Sequence, residues 1–243
     1  MPVIQACAPK KTNKPSEKIV KECVLPQEQS NSIQGKWGAI PIKLSFKSGD
    51  WAAEEVNAIQ AGAETWNRFY SASKGFTIFD VGAGGSGNQA TLNQVSPACS
   101  AGTLSEGTVV YKRFSNWSKS PTAVAVTTTC FNSNPNGLST IFNAIMEFNY
   151  TNFFVSGSGR IPDLQSIAVH ELGHLLGLDH SCGPLGKPNQ NKSNVGCPDP
   201  SQSNDPLIET VMFPQVFFDE AGNGEVKQNL TENDQGRANC VYE

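Results

Sequence analysis

"HELGHLLGLDH", residues 170–180, contains all three histidines of a 243-residue chain. His170 and His174 are four positions apart, so on a helix their imidazoles leave from one face and can meet a single metal ion. Gly177 then offers an exit through a left-handed conformation that residues with a Cβ resist. That turn can bring His180 back to the same ion from another direction. Three neutral imidazoles suit zinc and leave its fourth tetrahedral position for water, which is the catalytic rather than the closed structural arrangement. Such a zinc lowers the pKa of its water towards ~7 and polarises a carbonyl oxygen. Glu171, beside the first ligand, is placed to take the water proton and deliver it to a leaving amine. A His-Glu-x-x-His pentad alone can fall on a surface helix by chance; Gly177, His180 and an upstream helix start argue against that here. A purely structural zinc would leave Glu171 without a role.

The surrounding segments supply the frame. "IPDLQSIAVHELGHLLG" (161–177) reads as the helix carrying the first two histidines, with Asp163 as N-cap and Gly177 as its end. Upstream, Ile40, Ile42, Leu44 and Phe46 alternate like a half-buried strand. A long helix follows, with Asp50 as its cap and Val56, Ile59, Ala63, Trp66 and Phe69-Tyr70 at helical spacing. Strands are expected over 76–81, 108–114, 122–131 and 138–149, the last two joined by the turn "NSNPNG" (132–137). A long loop covers 181–210, and "LTENDQGRANCVY" (230–242) reads as a closing helix capped by Thr231. One strand, one helix, several strands and then two helices make an α+β fold. Residues 8–35 are polar, rich in Lys and Pro, and without period. They imply an extended arm over 1–35 ahead of a single domain over 36–243.

Composition narrows the function classes. The net charge of -4 is uneven, with +2 on residues 1–35 and -6 on the rest. A domain of that sign with four arginines has no electrostatic footprint for nucleic acid. No apolar run approaches the ~20 residues that cross a bilayer. The seven cysteines contain no Cys-x-x-Cys pair, which argues against a zinc ribbon and for disulfides in an oxidising compartment. The protein is therefore expected to be secreted or attached to the cell envelope. "MPVIQAC" is too short for a signal peptide, so the targeting segment is expected to be missing from this chain.

The pattern His-Glu-x-x-His-x-x-Gly-x-x-His, followed by Ser181, resembles the metzincin signature in its matrixin (matrix-metalloproteinase-like) form. "VMFP" (211–214) resembles the Met-turn of that family, residues 230–242 its C-terminal helix, and "NAIMEFN" (143–149) the edge strand over which substrate lies. The resemblance covers about residues 36–243. It implies a twisted, mainly parallel sheet with one antiparallel edge strand, a long first helix, an active-site helix and a C-terminal helix. It further implies a monomeric zinc-dependent endopeptidase acting on extracellular or envelope proteins. In that reading His170, His174 and His180 hold one catalytic Zn2+, Glu171 is the general base, and Met212 forms an apolar floor beneath the metal. A polypeptide substrate lies extended along the edge strand near 138–149, and residues 213–229 shape the pocket at the cleavage site.

Departures from the family limit what carries over. The chain has no histidines left for the second, structural zinc of the animal members, and Ca2+ sites cannot be placed on particular residues. The autoinhibitory "PRCGxPD" segment is absent; "KECVLPQ" keeps only Cys23 and Pro26. Cys23 is thus either an inhibitory thiol at the zinc or half of a disulfide. "VIQAC" resembles the end of a bacterial lipoprotein signal, so a lipid on Cys7 is the expected route to a membrane; a free thiol there is the alternative. Six cysteines then remain for three bridges. Cys182–Cys197 closes a local loop; Cys99–Cys130 and Cys23–Cys240 are the expected partners among the remaining four, whose connectivity sequence does not fix. Two rival functions stand beside the endopeptidase: a catalytically idle zinc-containing peptide-binding module, and a hydrolase of small amides or glycan-linked groups.

Overall fold

The computed structural model describes residues 18–90, 108–115, 117–135, 137–155, 157–183, 195–201 and 204–242. Strand β1 (Gly35–Trp37) is short, and β2 (Ile42–Lys47) buries Ile42, Leu44, Ser45 and Phe46. Helix α1 (Ala53–Lys74) follows. Its first turn is held by Glu55, whose carboxylate accepts the Ala52 N–H at 2.8 Å, so the cap lies two residues beyond the expected Asp50. Strands β3 (Phe79–Asp80), β4 (Asn88–Ala90), β5 (Thr108–Lys112), β6 (Ala125–Asn132) and β7 (Ser139–Phe148) complete the sheet. Helices α2 (Leu164–Leu176) and α3 (Glu232–Asn239) complete the fold.

The sheet runs β1-β7-β5-β2-β3, with β4 beside β2 and β6 beside β7. All pairings are parallel except β6 with β7, where Ala125 faces Phe148 and Asn132 faces Thr140. The fold is α+β with a mainly parallel sheet and one antiparallel strand, as expected. The edge strand is displaced from its expected position. Segment 138–149 is flanked on both sides, by β5 and β1 along one edge and by β6 along the other. Among the described residues β6 pairs only with β7, so the antiparallel edge lies at 125–132.

One face of the sheet packs on α1 and α2 around Phe46, Trp66, Tyr70, Met146 and Leu172. The two helices approach closely because position 62 is Gly; a Cβ there would sit 3.0 Å from that of Ala168. Trp66 donates its indole N–H to Val169 O at 2.9 Å, fixing the register between them.

The described part of the arm expected over 1–35 is bonded to the C-terminal helix. Val20 N donates to Gln235 Oε1, Val24 N to Gly236 O, and Asn239 Nδ2 to Val20 O and Glu22 O. Cys23 is bonded to Cys240, and Gln29 and Ser32 are buried. Residues 18–35 therefore lie as a strap across α3 and the loop behind α2. Cys7 lies outside the described residues.

Candidate metal centre and cleft

Helix α2 starts at Asp163, whose carboxylate accepts Ser166 N at 2.9 Å, and ends at Gly177 with φ 104°. Gly177 also abuts β1: a Cβ there would lie 1.9 Å from Gly35 O. Both the turn and the close approach require glycine. The turn returns His180 to the helix face that carries His170 and His174. Their ligand-type atoms all lie within 4.8 Å of one another. His174 Nε2 is 3.1 Å from His170 Nε2 and 3.2 Å from His180 Nε2. Zn–N bonds of ~2.0–2.1 Å at tetrahedral angles would put such nitrogens roughly 3.3–3.4 Å apart.

The hydrogen bonds at the far side of each ring decide the protonation. His170 Nδ1 lies 2.7 Å from Val211 O and His174 Nδ1 2.9 Å from Leu178 O. A carbonyl can only accept, so both Nδ1 atoms carry the proton and both Nε2 atoms present lone pairs. Burial, reinforced by His174, pushes the pKa of His170 down to about 3, which keeps it neutral. Two lone pairs facing each other at 3.1 Å without a proton between them are stable only around a cation. The donor set fits zinc.

Glu171 is 5% exposed, and its Oε2 accepts Thr127 Oγ1 at 2.7 Å across the cleft from β6. Burial raises its pKa to about 7, outweighing the hydrogen bonds from the Thr127 side chain and backbone that lower it. A nearby dication acts in the opposite direction and favours the carboxylate. Met212 is fully buried and packs against the helix at Gly173, where a Cβ would come within 2.3 Å of its sulfur.

Three residues outside the histidine motif complete the centre. Asp234, fully buried at the start of α3, accepts Val211 N at 3.0 Å and Met212 N at 3.3 Å. It thereby fixes the peptide whose carbonyl orients His170. Buried Arg237 donates to Ser32 and to the carbonyls of Asp179 and His180, tying the third-histidine loop to the strap. Thr127 is the third. The Thr231-x-x-Asp234 spacing marks Asp234 as a capping partner, but nothing local marks its bond to the 211–212 turn.

The expected thiol groups divide. Cys23 forms a disulfide with Cys240, so it has no thiolate to offer a metal, which corrects its reading as an inhibitory thiol. Cys182–Cys197 is formed as expected. Cys130 is also disulfide-bonded, while its expected partner Cys99 lies outside the described residues.

The three imidazoles and Glu171 open into a cleft of about 960 Å³. Residues 122–129 line it on one side, and α2 with residues 213–218, Glu225 and Lys227 on the other. A mainly parallel sheet with one antiparallel strand at the cleft, and a three-histidine centre closed by a glycine turn, define a metzincin-type zinc metallopeptidase. A family model described as Matrixin matches residues 63–185, about half of the chain. The chain belongs to the matrixin family. No curated protein matches it.

Proposed function

We propose that the protein is a zinc-dependent endopeptidase that cleaves extended polypeptides outside the cytoplasm, in a compartment where its disulfides persist. The observation that carries this reading is the position of Glu171, buried beside three convergent imidazoles in the lining of the cleft. A metal-binding module has no use for a carboxylate kept there at a desolvation cost.

A substrate strand would lie antiparallel to β6, whose outer edge is free among the described residues, rather than to 138–149. His170, His174 and His180 would hold the metal. Zinc bound there would polarise the scissile carbonyl and acidify the attacking water. Thr127 Oγ1 holds Oε2 of Glu171 and so orients the carboxylate that would take the water proton and pass it to the departing nitrogen. A cleft of about 960 Å³ lined along β6 suits an extended peptide better than a small amide, which favours an endopeptidase.

The test is Glu171→Ala, with Glu171→Gln as its isosteric companion. Both should fold and keep their zinc. Peptide cleavage should fall at least roughly a hundredfold, because a general base is worth 10²–10⁴-fold. Cleavage by either variant near the parental rate would refute the mechanism.

A further inference from the structure

One cation of the cleft wall has no carboxylate of its own. Besides the three histidines, the charged residues that line the cleft are Arg160, Glu171, Asp179, Glu225 and Lys227. Glu171 belongs to the metal centre, Asp179 is buried in the third-histidine loop, and Lys227 is buried and paired with Glu225 at 3.1 Å. Arg160 differs. It is exposed, and it takes part in none of the ion pairs among the described residues. Its backbone is fixed: Ser158 Oγ donates to its carbonyl at 2.8 Å, and the next residue, Ile161, donates its N–H to Gly222 O at 2.8 Å. Its guanidinium sits 5.4 Å from the ring centre of Phe218, and that ring stacks on buried Phe153 with centres 6.4 Å apart. An aromatic face thus holds a planar fork of N–H donors at the cleft wall.

The direction of the substrate decides which side of the cleaved bond Arg160 faces. Thr127, bonded to Glu171, marks the reacting centre on β6. A strand antiparallel to β6 runs from the Asn132 end towards the Ala125 end, so the leaving-amine side lies towards Ala125. Arg160 stands at that end. Val124 O accepts Asn149 N, Asn149 O accepts Phe153 N, and Phe153 backs the Phe218 ring under the guanidinium. Ala125 and Val124 are about 7–10 Å along the strand from Thr127. We infer that Arg160 selects substrates with a carboxylate within three residues on the C-terminal side of the bond that is cut. This rests on the endopeptidase reading and adds a preferred substrate feature to it. A carboxylate meets the guanidinium fork with two charge-assisted hydrogen bonds. An amide is a weaker acceptor, an aliphatic group offers none, and a basic one is repelled. The carboxylate comes either from an Asp or Glu side chain or from the C-terminus of a chain that ends there. The competing role for Arg160 is to cover the Phe218 ring, which predicts no preference.

The experiment uses the zinc-loaded full chain and two series of peptides. The first series is amidated and continues well past the cleaved bond, with Glu, Gln, Leu or Lys in turn at the first, second and third residue beyond it. The second series ends at the second or third residue beyond the bond, as free acid or as amide. In one series or both the carboxylate should raise kcat/KM by about threefold to fivefold, the scale of a solvent-exposed ion pair. A rise in the first series assigns the carboxylate to a side chain, and a rise in the second to a chain terminus. Arg160→Gln should level the ratio, and Arg160→Glu should invert it, so that Lys exceeds Glu or the amide exceeds the acid. Salt at about 1 M should level it in the parent. The same peptides are titrated against zinc-loaded Glu171→Ala by fluorescence anisotropy, where the same order should appear without cleavage. Equal handling of acid and neutral peptides by a parent that cleaves both, or a preference that survives in Arg160→Glu, would overturn the role of Arg160 and leave the endopeptidase intact. Carboxylate-selective binding without cleavage by the parent would do the reverse.

Discussion

Thr127 and Asp234 lie outside the histidine motif, yet each governs one of its members. Thr127 holds Glu171 from the opposite wall, so Thr127→Val should lower kcat by about tenfold, the loss of one hydrogen bond to a charged group. Zinc affinity should not change, because no imidazole is touched. Metal titration beside steady-state kinetics checks this, and a drop in zinc affinity instead would assign Thr127 to the metal site. Asp234 accepts two backbone N–H groups of the 211–212 turn and two donors from Thr231. Asp234→Ala leaves those buried amides without an acceptor and should destabilise by about 2–4 kcal/mol in urea. Asp234→Asn keeps one acceptor oxygen and should cost less. His170, His174 and His180 were legible because their chemistry is written within eleven residues. Thr127 was not, since its partner is 44 positions away and a strand threonine carries no local mark.

At the scale of elements, helices were read more closely than strands. Helix α2 carries its own punctuation in Asp163 and Gly177, and it falls within the expected 161–177. The likeness of "NAIMEFN" to an edge strand points to the wrong element, and composition points to the right one. Ala144, Ile145 and Met146 form a continuous buried run, as in a strand covered on both faces. β6, with Thr127, Thr128 and Thr129, is only half-buried over most of its length, and that contrast was available in the sequence. The bonds of the strap leave no local mark in the sequence, for a different reason. Its residues 18–35 are polar and aperiodic, and they are ordered by bonds to α3 and the third-histidine loop rather than by a hydrophobic face. Opening Cys23–Cys240, which links positions 217 apart, should therefore cost about 2–4 kcal/mol of stability. A Cys23→Ala chain should show no gain in peptidase activity. Activation by that substitution would restore the inhibitory reading, so comparing its kcat/KM with the parent's settles the point.

For the whole molecule, the metal site is where separate parts of the chain meet. His170 and His174 come from α2, and His180 from a loop held by Ser32, Gln29 and Arg237. The carbonyl that orients His170 belongs to the 211–212 turn, which α3 holds through Asp234. Zinc binding should thus stabilise the folded chain as well as equip it for catalysis. With free zinc a thousandfold above its dissociation constant, linkage gives about 4 kcal/mol. For a chain of this length that is roughly 8–16 °C in melting temperature. Chelation should remove the increment and peptide cleavage together, with the disulfides left intact, and one equivalent of zinc should restore both. Hydrogen exchange should rise after chelation at residues 170–181 and 211–214, while β2, β5 and β7, buried in the sheet, stay protected. Two firmly held zincs per chain would contradict the single three-histidine centre. An unchanged melting temperature on chelation would show that the strap and α3 hold the three histidines in place without the metal.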